Sequence, residues 1–413
     1  MSQINKLKIL NDPIYGFITI PNTLIYDLIQ HPYFQRLRRI SQMGMSYLVY
    51  PGAHHTRFHH ALGCMHIMQK AVQVLRFKGV VISDEEETAL YIAILLHDIG
   101  HGPFSHAMEH SIVEDVHHEE ISMLFMNRLN EVFEGKLELA IQVFKGEYHR
   151  KFMLQLISSQ LDMDRLDYLK RDSFYSGVAE GNINSERLIQ MMNVENDLLV
   201  IEEKGIYSVE KFLGARRLMY WQAYLHKTSV VAELTLTKIL KRAKELAQKG
   251  QIPECSKPLQ FFMTHKVTLD GFNNDILDKF AQLDDFDIMS AIKTWQFHED
   301  FVLASLSKMI INRDLLKIRM VSEKVDNSEV EVLKKKWLAL HPMSEKEAEY
   351  FVFKGKIKNQ AYNKAGEPIR ILKKDRTVED VVEASDQMNL KALSKPVTKY
   401  YICFPKVLLG SLD

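Results

Sequence analysis

Apolar positions recur at helical spacing over most of this chain. After Pro21-Asn22-Thr23, the residues Leu24, Leu28, Ile29 and Leu37 fall near 3.6-residue intervals, which predicts an amphipathic helix running to about Gln42. Met43-Gly44 and Pro51-Gly52 mark the loop beyond it. His59–Phe77 predicts a second helix, closed by Gly79. Ser83 followed by Glu86 has the capping-box pattern and leads into a helix over Thr88–Ile99. Gly100, Gly102 and Pro103 then break the chain before a short helix carrying His106, Glu109 and His110. Further helices are expected at 118–134, 149–158, 161–172 and 185–194. A small hairpin is expected at Leu198–Tyr207 around Lys204-Gly205, then one very long helix, with a kink allowed, from Ser208 to Gln248. Shorter helices carry the chain to about 340. Beyond 348 the period shortens towards two, and strands are predicted at Tyr350–Ile357, Pro368–Leu372 and Val397–Cys403, with a helix from Val378 between the last two. The expected fold is mainly α: an all-α multi-helix bundle over residues 1–345 and a small α+β C-terminal subdomain over 346–413.

Composition narrows the function more than the fold. Of 413 residues 46% are hydrophobic, enough to bury a core without disulfides or a structural metal. Lys and Arg total 53, as do Asp and Glu, so no excess of positive charge favours nucleic acid as the main partner. The three cysteines, Cys64, Cys255 and Cys403, are widely spaced and form no CxxC, which points to a reducing compartment. The N-terminal MSQINKLKIL lacks the apolar stretch of a signal peptide, and the run Tyr91–Leu96 is too short to span a bilayer. A cytoplasmic protein with no membrane partner is expected.

The distribution of histidine marks the place for chemistry. Of 17 histidines, 11 lie between His54 and His118, where an even spread would put about three. Interleaved with Arg57, Asp98, Glu109 and Glu119, they suit a catalytic transition-metal site better than packing. His97-Asp98 ends a predicted helix, so the two side chains can converge on one ion although they diverge by about 100 degrees along a helix. His60 and Asp164 are the candidates to complete the set.

The tracts Arg57-Phe58-His59-His60-Ala61-Leu62-Gly63, Leu96-His97-Asp98-Ile99-Gly100-His101-Gly102-Pro103-Phe104-Ser105-His106, His118-Glu119 and Asp162-Met163-Asp164-Arg165-Leu166-Asp167-Tyr168 together resemble the HD-domain phosphohydrolase superfamily. Within it the chain is most similar to the deoxynucleoside triphosphate triphosphohydrolases, in the SAM-and-HD-domain branch but without a SAM domain. The likeness extends upstream through Asn11-Asp12-Pro13-Ile14-Tyr15-Gly16 and Phe34-Gln35-Arg36-Leu37-Arg38, and downstream to Tyr224-Leu225-His226-Lys227.

The resemblance implies an HD-domain helical bundle with a metal core at about residues 50–175. It implies His60, His97, Asp98 and Asp164 as ligands of a divalent transition metal (Mn, Fe, Co, Ni or Zn), with Mg as a further candidate. Such an ion lowers the pKa of bound water from 15.7 towards about 7, so the implied reaction is hydroxide attack on the α-phosphorus of a dNTP, releasing deoxynucleoside and triphosphate. Arg57 offers a planar fork for phosphate. His101 faces the phosphate chain or a second ion, His106 with Glu109 forms the general acid, and His118 and Glu119 add phosphate contact and proton management. For the sugar and base the resemblance implies Gln42, Met43, Arg165, Tyr168, Asp172 and Tyr224, with Asp172 at the 3′-hydroxyl and Arg165 on phosphate.

Members activated by a bound guanine nucleotide carry Asp-Thr-Pro where this chain has Gln30-His31-Pro32, so the guanine-reading carboxylate is absent. Lys8, Arg38, Arg370 and Lys373 still resemble residues that hold effector phosphates, and a nucleotide effector stays among the expected partners. Relatives assemble into dimers or larger oligomers, so a homo-oligomer, dimer or tetramer, is expected. Two alternatives remain at this stage: an HD phosphohydrolase for a monophosphate, cyclic nucleotide or guanosine tetraphosphate, and a non-catalytic nucleotide-binding module.

Overall fold

The computed structural model describes residues 8–411, except 105, 110, 114–115, 365, 387–389 and 391–392; of His106, Glu109, Gly410 and Ser411 it describes the backbone alone. Helices dominate, as the hydrophobic period predicts. At the centre the long helix Arg57–Phe77 packs against Asp84–Leu96 on one side and Met163–Ser176 on the other. Leu90 to Leu96 is buried without a break, so this helix is enclosed on all sides and its C-terminal end is fixed in place. Ser83 caps it as expected: its hydroxyl accepts the Glu86 N–H and the Glu86 carboxylate accepts the Ser83 N–H.

The first predicted helix is shorter than its apolar period suggests. Thr23–Gln30 is capped by Asn22, then Pro32 opens a new turn, Pro32–Gln35, followed by a 3₁₀ turn, Arg36–Arg39. Proline lacks the N–H that would continue the ladder, and His31 before it is extended at ψ 138°. The expected helix 208–248 is likewise two helices. Ile206–Met219 runs into a widened π turn, Tyr220–Tyr224, and Lys227–Gln248 restarts from His226, whose ring accepts the Thr228 N–H at 3.2 Å. That break places Tyr224 at the end of a turn.

The hairpin lies one strand earlier than expected. Met192–Glu195 pairs antiparallel with Leu198–Glu202 through Asn196-Asp197, both left-handed at φ 51° and 61°. A two-residue turn of that hand matches the twist of the strands, which explains why Asn-Asp rather than Lys204-Gly205 makes it. The expected helix 185–194 accordingly stops at Met191.

Strands also fall within the stretch expected to be all-α. Ile9–Asp12 pairs with Gly16–Thr19, and Lys317–Val321 joins Val397–Phe404 and Phe353–Asn359 in a three-stranded antiparallel sheet. Leu198–Glu202 pairs parallel with Arg370–Leu372, with Val200 opposite Arg370, in a four-stranded sheet completed by Val378–Asp380. The helix expected from Val378 is reduced to Val381–Ala384 after that strand. The C-terminal segment therefore completes sheets begun by the helical part. Among the described residues no helix is long and apolar enough to cross a membrane.

Candidate active site

Three helices meet at the histidine-rich centre, and two glycines let them come close. A Cβ on Gly63 would lie 2.0 Å from Asp167 Oδ1, so Arg57–Phe77 reaches Met163–Ser176 only because that position is bare. A Cβ on Gly100 would lie 2.2 Å from the His118 carbonyl oxygen. Instead the Gly100 N–H donates to Ser122 Oγ at 2.9 Å, and Ser122 donates on to the His97 carbonyl at 2.9 Å. The helix His118–Val132 is thereby drawn onto the turn after Asp98. The His101 and His118 rings stack at 3.8 Å and 19°.

The two central imidazoles are oriented by partners on their far sides. His60 Nδ1 donates to buried Asp167 Oδ2 at 2.7 Å, and His97 Nδ1 donates to the Ile94 carbonyl at 2.6 Å. Each bond leaves Nε2 facing the centre. His60 Nε2 lies 3.1 Å from Asp164 Oδ1 and 3.8 Å from Asp98 Oδ2. His97 Nε2 lies 3.5 Å from Asp98 Oδ1 and 3.6 Å from Asp164 Oδ1, and is buried with no hydrogen-bond partner. Nitrogens with their far sides already committed, set between two carboxylates, are a donor set fitted to a divalent cation. His60, His97 and Asp164, with Cys64 beside them, form one cluster able to hold an ion; Asp98, His101 and His118 form a second. Asp98 thus faces both.

Electrostatics agree with that arrangement. Burial opposes ionisation of Asp98, but His97, His101 and Arg57, which bonds Oδ2, hold it well below the usual carboxylate range. Asp164 is low as well, because the hydrogen bond with His60 and the nearby His97 imidazole outweigh its burial. Burial and then Arg57 push the His101 ring down to about 3, leaving a neutral imidazole 3.4 Å from Asp98 Oδ1. Burial pushes the Cys64 thiol upward, so it stays a neutral group against His60.

The other expected residues divide into three groups. His118 lies 3.4 Å from Glu119, whose carboxylate is exposed. Arg165 turns back onto Asp162 at 2.6 Å and stands 3.8 Å from Asp164. The side chains of His106 and Glu109 lie outside the described residues. At the far end of Met163–Ser176, two turns beyond Asp164, Asp172 Oδ2 accepts the Tyr224 hydroxyl at 2.6 Å, and Tyr168 meets Tyr224 edge-on at 6.1 Å. Gln42 has a buried Oε1 without a partner, and Met43 beside it is buried.

Four participants escape the sequence reading. Asp167 and Arg171, an i,i+4 pair at 2.9 Å, tie His60 to Asp12 of the first hairpin, which Arg171 reaches at 2.8 Å. Arg36 is fully buried and donates to the carbonyls of Ile99 and His101 at 3.2 and 2.5 Å, clamping the turn that carries His101. His55 Nε2 meets Asp172 Oδ1 at 2.7 Å. Asp167 and Arg171 had a legible signal in their spacing on a helix already singled out; Arg36 and His55 had none, since their partners are far away in sequence. The four candidate effector cations have intramolecular partners: Lys8 on the Tyr26 ring, Arg38 on Gln35, Arg370 on Glu367 and Lys373 on Glu379.

With this geometry in place, the comparisons agree with it. The HD domain family model matches residues 57–172, the stretch from Arg57 to Asp172, and the HD associated region matches residues 183–254. The chain belongs to the HD-domain phosphohydrolase family. A solved phosphohydrolase from Bacteroides thetaiotaomicron is 51% identical and superposes with a TM-score of 0.93 over 97% of this chain and 100% of its own. The uncharacterized protein YwfO of Bacillus subtilis is 37% identical over 76% of this chain and 72% of its own length. The human deoxynucleoside triphosphate triphosphohydrolase SAMHD1 is 28% identical over 59% of this chain and 45% of its own length.

Proposed function

We propose that this phosphohydrolase splits deoxynucleoside triphosphates into deoxynucleoside and inorganic triphosphate. The observation that carries the reading is the helix Met163–Ser176, which has Asp164 among the two imidazoles and, two turns on, Asp172 bonded by Tyr224. One helix then serves both ends of a nucleotide: an ion and phosphate at its start, a sugar hydroxyl at its end. The similarity to SAMHD1 supports the same substrate class.

His60, His97, Asp98 and Asp164 would hold the divalent ion, which when bound supplies charge neutralisation for phosphate and a lowered pKa for water. In the reaction, water adds to the α-phosphorus, the bond from phosphorus to the 5′-oxygen breaks, and one proton ends on that oxygen. Arg57, seated on Asp98, brings a guanidinium charge to phosphate oxygens. His101, neutral and held by its stack on His118, presents an imidazole to the polyphosphate, and Arg165 adds positive charge beside Asp164. His106, oriented by Glu109, is assigned the proton for the 5′-oxygen on the sequence resemblance. Asp172, Tyr168, Tyr224, Gln42 and Met43 bind deoxyribose and base. A homo-oligomer, with a nucleotide effector at sites including Lys8 and Arg38, belongs to the same proposal.

Product analysis tests it. Metal-replete protein is incubated with each dNTP, each rNTP and a simple phosphodiester, with and without a second nucleotide, and products are separated by ion exchange. Deoxynucleoside with intact triphosphate is the expected result. Orthophosphate or monophosphate would move the protein to another branch of the family.

A further inference from the structure

His55 lies between the two walls of the sugar end. Its backbone belongs to the first wall: the His55 carbonyl accepts the Gln42 N–H at 3.0 Å, Ser41 and Thr56 form an antiparallel bridge, and the Arg57 N–H donates to the Ile40 carbonyl at 3.0 Å. Its side chain belongs to the second. Nε2 is 2.7 Å from Asp172 Oδ1, and the ring stacks on Tyr175 of the same helix at 4.4 Å and 16°. Neither side chain is open to solvent, at 0% exposed for His55 and 3% for Asp172. The same segment lies close to that helix at Gly52, where a Cβ would come within 2.6 Å of the Tyr175 carbonyl oxygen.

An ionised carboxylate only accepts, so Nε2 carries the proton in this bond. Asp172 then has one protein donor on each oxygen, His55 on Oδ1 and Tyr224 on Oδ2. Two donors at opposite oxygens fix the plane of the carboxylate, and the lone pairs left over point in set directions. On the other wall, the His55 carbonyl holds the Gln42 backbone N–H, and Gln42 Oε1 is a second buried acceptor without a partner.

We infer that His55 is the positioning residue for recognition of the sugar 3′-hydroxyl: it locks the Asp172 carboxylate and ties the Gln42 loop to the same helix, so that a hydroxyl donor is met by acceptors already oriented. This rests on the deoxynucleotide reading above. His55 itself touches no substrate in this scheme; it acts through Asp172.

The test compares a dNTP with the matching 2′,3′-dideoxynucleoside triphosphate, which lacks the 3′-hydroxyl, in the wild type, His55→Phe and His55→Gln. Phenylalanine keeps the stack on Tyr175 without a donor, and glutamine keeps an N–H donor of similar reach. Bound metal and melting temperature are measured for each protein. His55→Phe is expected to lose about 10- to 100-fold in kcat/KM on the dNTP, mostly in KM, the range for a lost hydrogen bond to a charged group. On the dideoxy substrate it stays within about twofold of the wild type, with metal content unchanged, and His55→Gln recovers part of the preference. Equal losses on both substrates, or no loss on either, overturn the inference. A wild type that hydrolyses dNTPs without favouring the 3′-hydroxyl also overturns it, and needs no variant to fold. A wild type that leaves every deoxynucleotide intact while hydrolysing another phosphoester overturns the functional reading, and this inference with it.

Discussion

The two ends of the helix Met163–Ser176 handle carboxylates in opposite ways. At its start, Asp164 and Asp98 face imidazole nitrogens whose other sides are already committed, and the His97 Nε2 has no partner at all. At its end, Asp172 has a donor on each oxygen from the protein itself. The first arrangement leaves a buried imidazole nitrogen without a partner, and the second fixes its carboxylate while one lone pair on each oxygen remains for a further donor. On the proposed function, ion binding falls to one end and sugar selection to the other, since a carboxylate fixed by two donors accepts a further hydroxyl only from set directions.

Breaking the metal end should have the largest effect. Asp98→Ala removes the carboxylate of the second cluster that also faces His60 and His97, and is expected to lower turnover by roughly 10³-fold or more, with bound metal lost in elemental analysis. Retention of full activity would sink the ligand assignment. Next comes Asp167→Asn, which leaves the fully buried Arg171 half-paired and frees the far side of His60. A cost of about 3 kcal/mol in denaturant unfolding is expected from breaking a buried pair. Metal affinity should also fall about 10-fold or more, read by titration, because the orienting partner of a ligand is gone. A variant with wild-type metal affinity would show that Asp167 serves stability alone.

Tyr224→Phe sharpens the comparison from the other end. It removes one donor from Asp172, and KM for the nucleotide should rise about 10-fold while metal content does not change. A fall in metal content would mean the two ends are not independent. The smallest effect is expected away from both. Burial, then Lys241, lowers the Lys238 ammonium to about 8 where it donates to the Glu349 carbonyl beside the Tyr350 and Phe353 rings. The unfolded chain holds that proton to about 10.4, so between about 8 and 10.4 it binds more protons than the folded protein and stability rises with pH. Lys238→Met should flatten that rise in thermal melts; an unchanged pH profile would place the ammonium in solvent.

The metal end was legible because its residues announce themselves in short tracts: a histidine-rich stretch from His54 to His118, His97-Asp98 at a helix end, and His60 and Asp164 in tracts of their own. Even there, Asp98 turned out to face a second cluster that no spacing reveals. The sugar end was half legible. Asp172 and Tyr168 follow from the helix that bears Asp164, but His55 becomes visible only when residues 117 apart are brought to 2.7 Å. The strand Lys317–Val321 escaped notice because it is short and takes its partner, Val397–Phe404, from the far C-terminus, so local propensity carried no information about it. The break after Tyr224 was hidden for a different reason, since neither proline nor glycine marks it between Met219 and Lys227.

The parallel pairing of Leu198–Glu202 with Arg370–Leu372 has a consequence for how this protein is made. The ribosome delivers the second strand about 170 residues after the first, which at ~5–20 residues per second is a wait of roughly ten to thirty seconds. During that interval the hairpin Met192–Glu202 stands with an open edge, a template to which another nascent chain can add, while the later helices, Lys227–Gln248 among them, are still emerging. Slowed or truncated synthesis near residue 370 should therefore yield aggregates rather than a shorter working enzyme, even though every expected metal ligand has long since emerged.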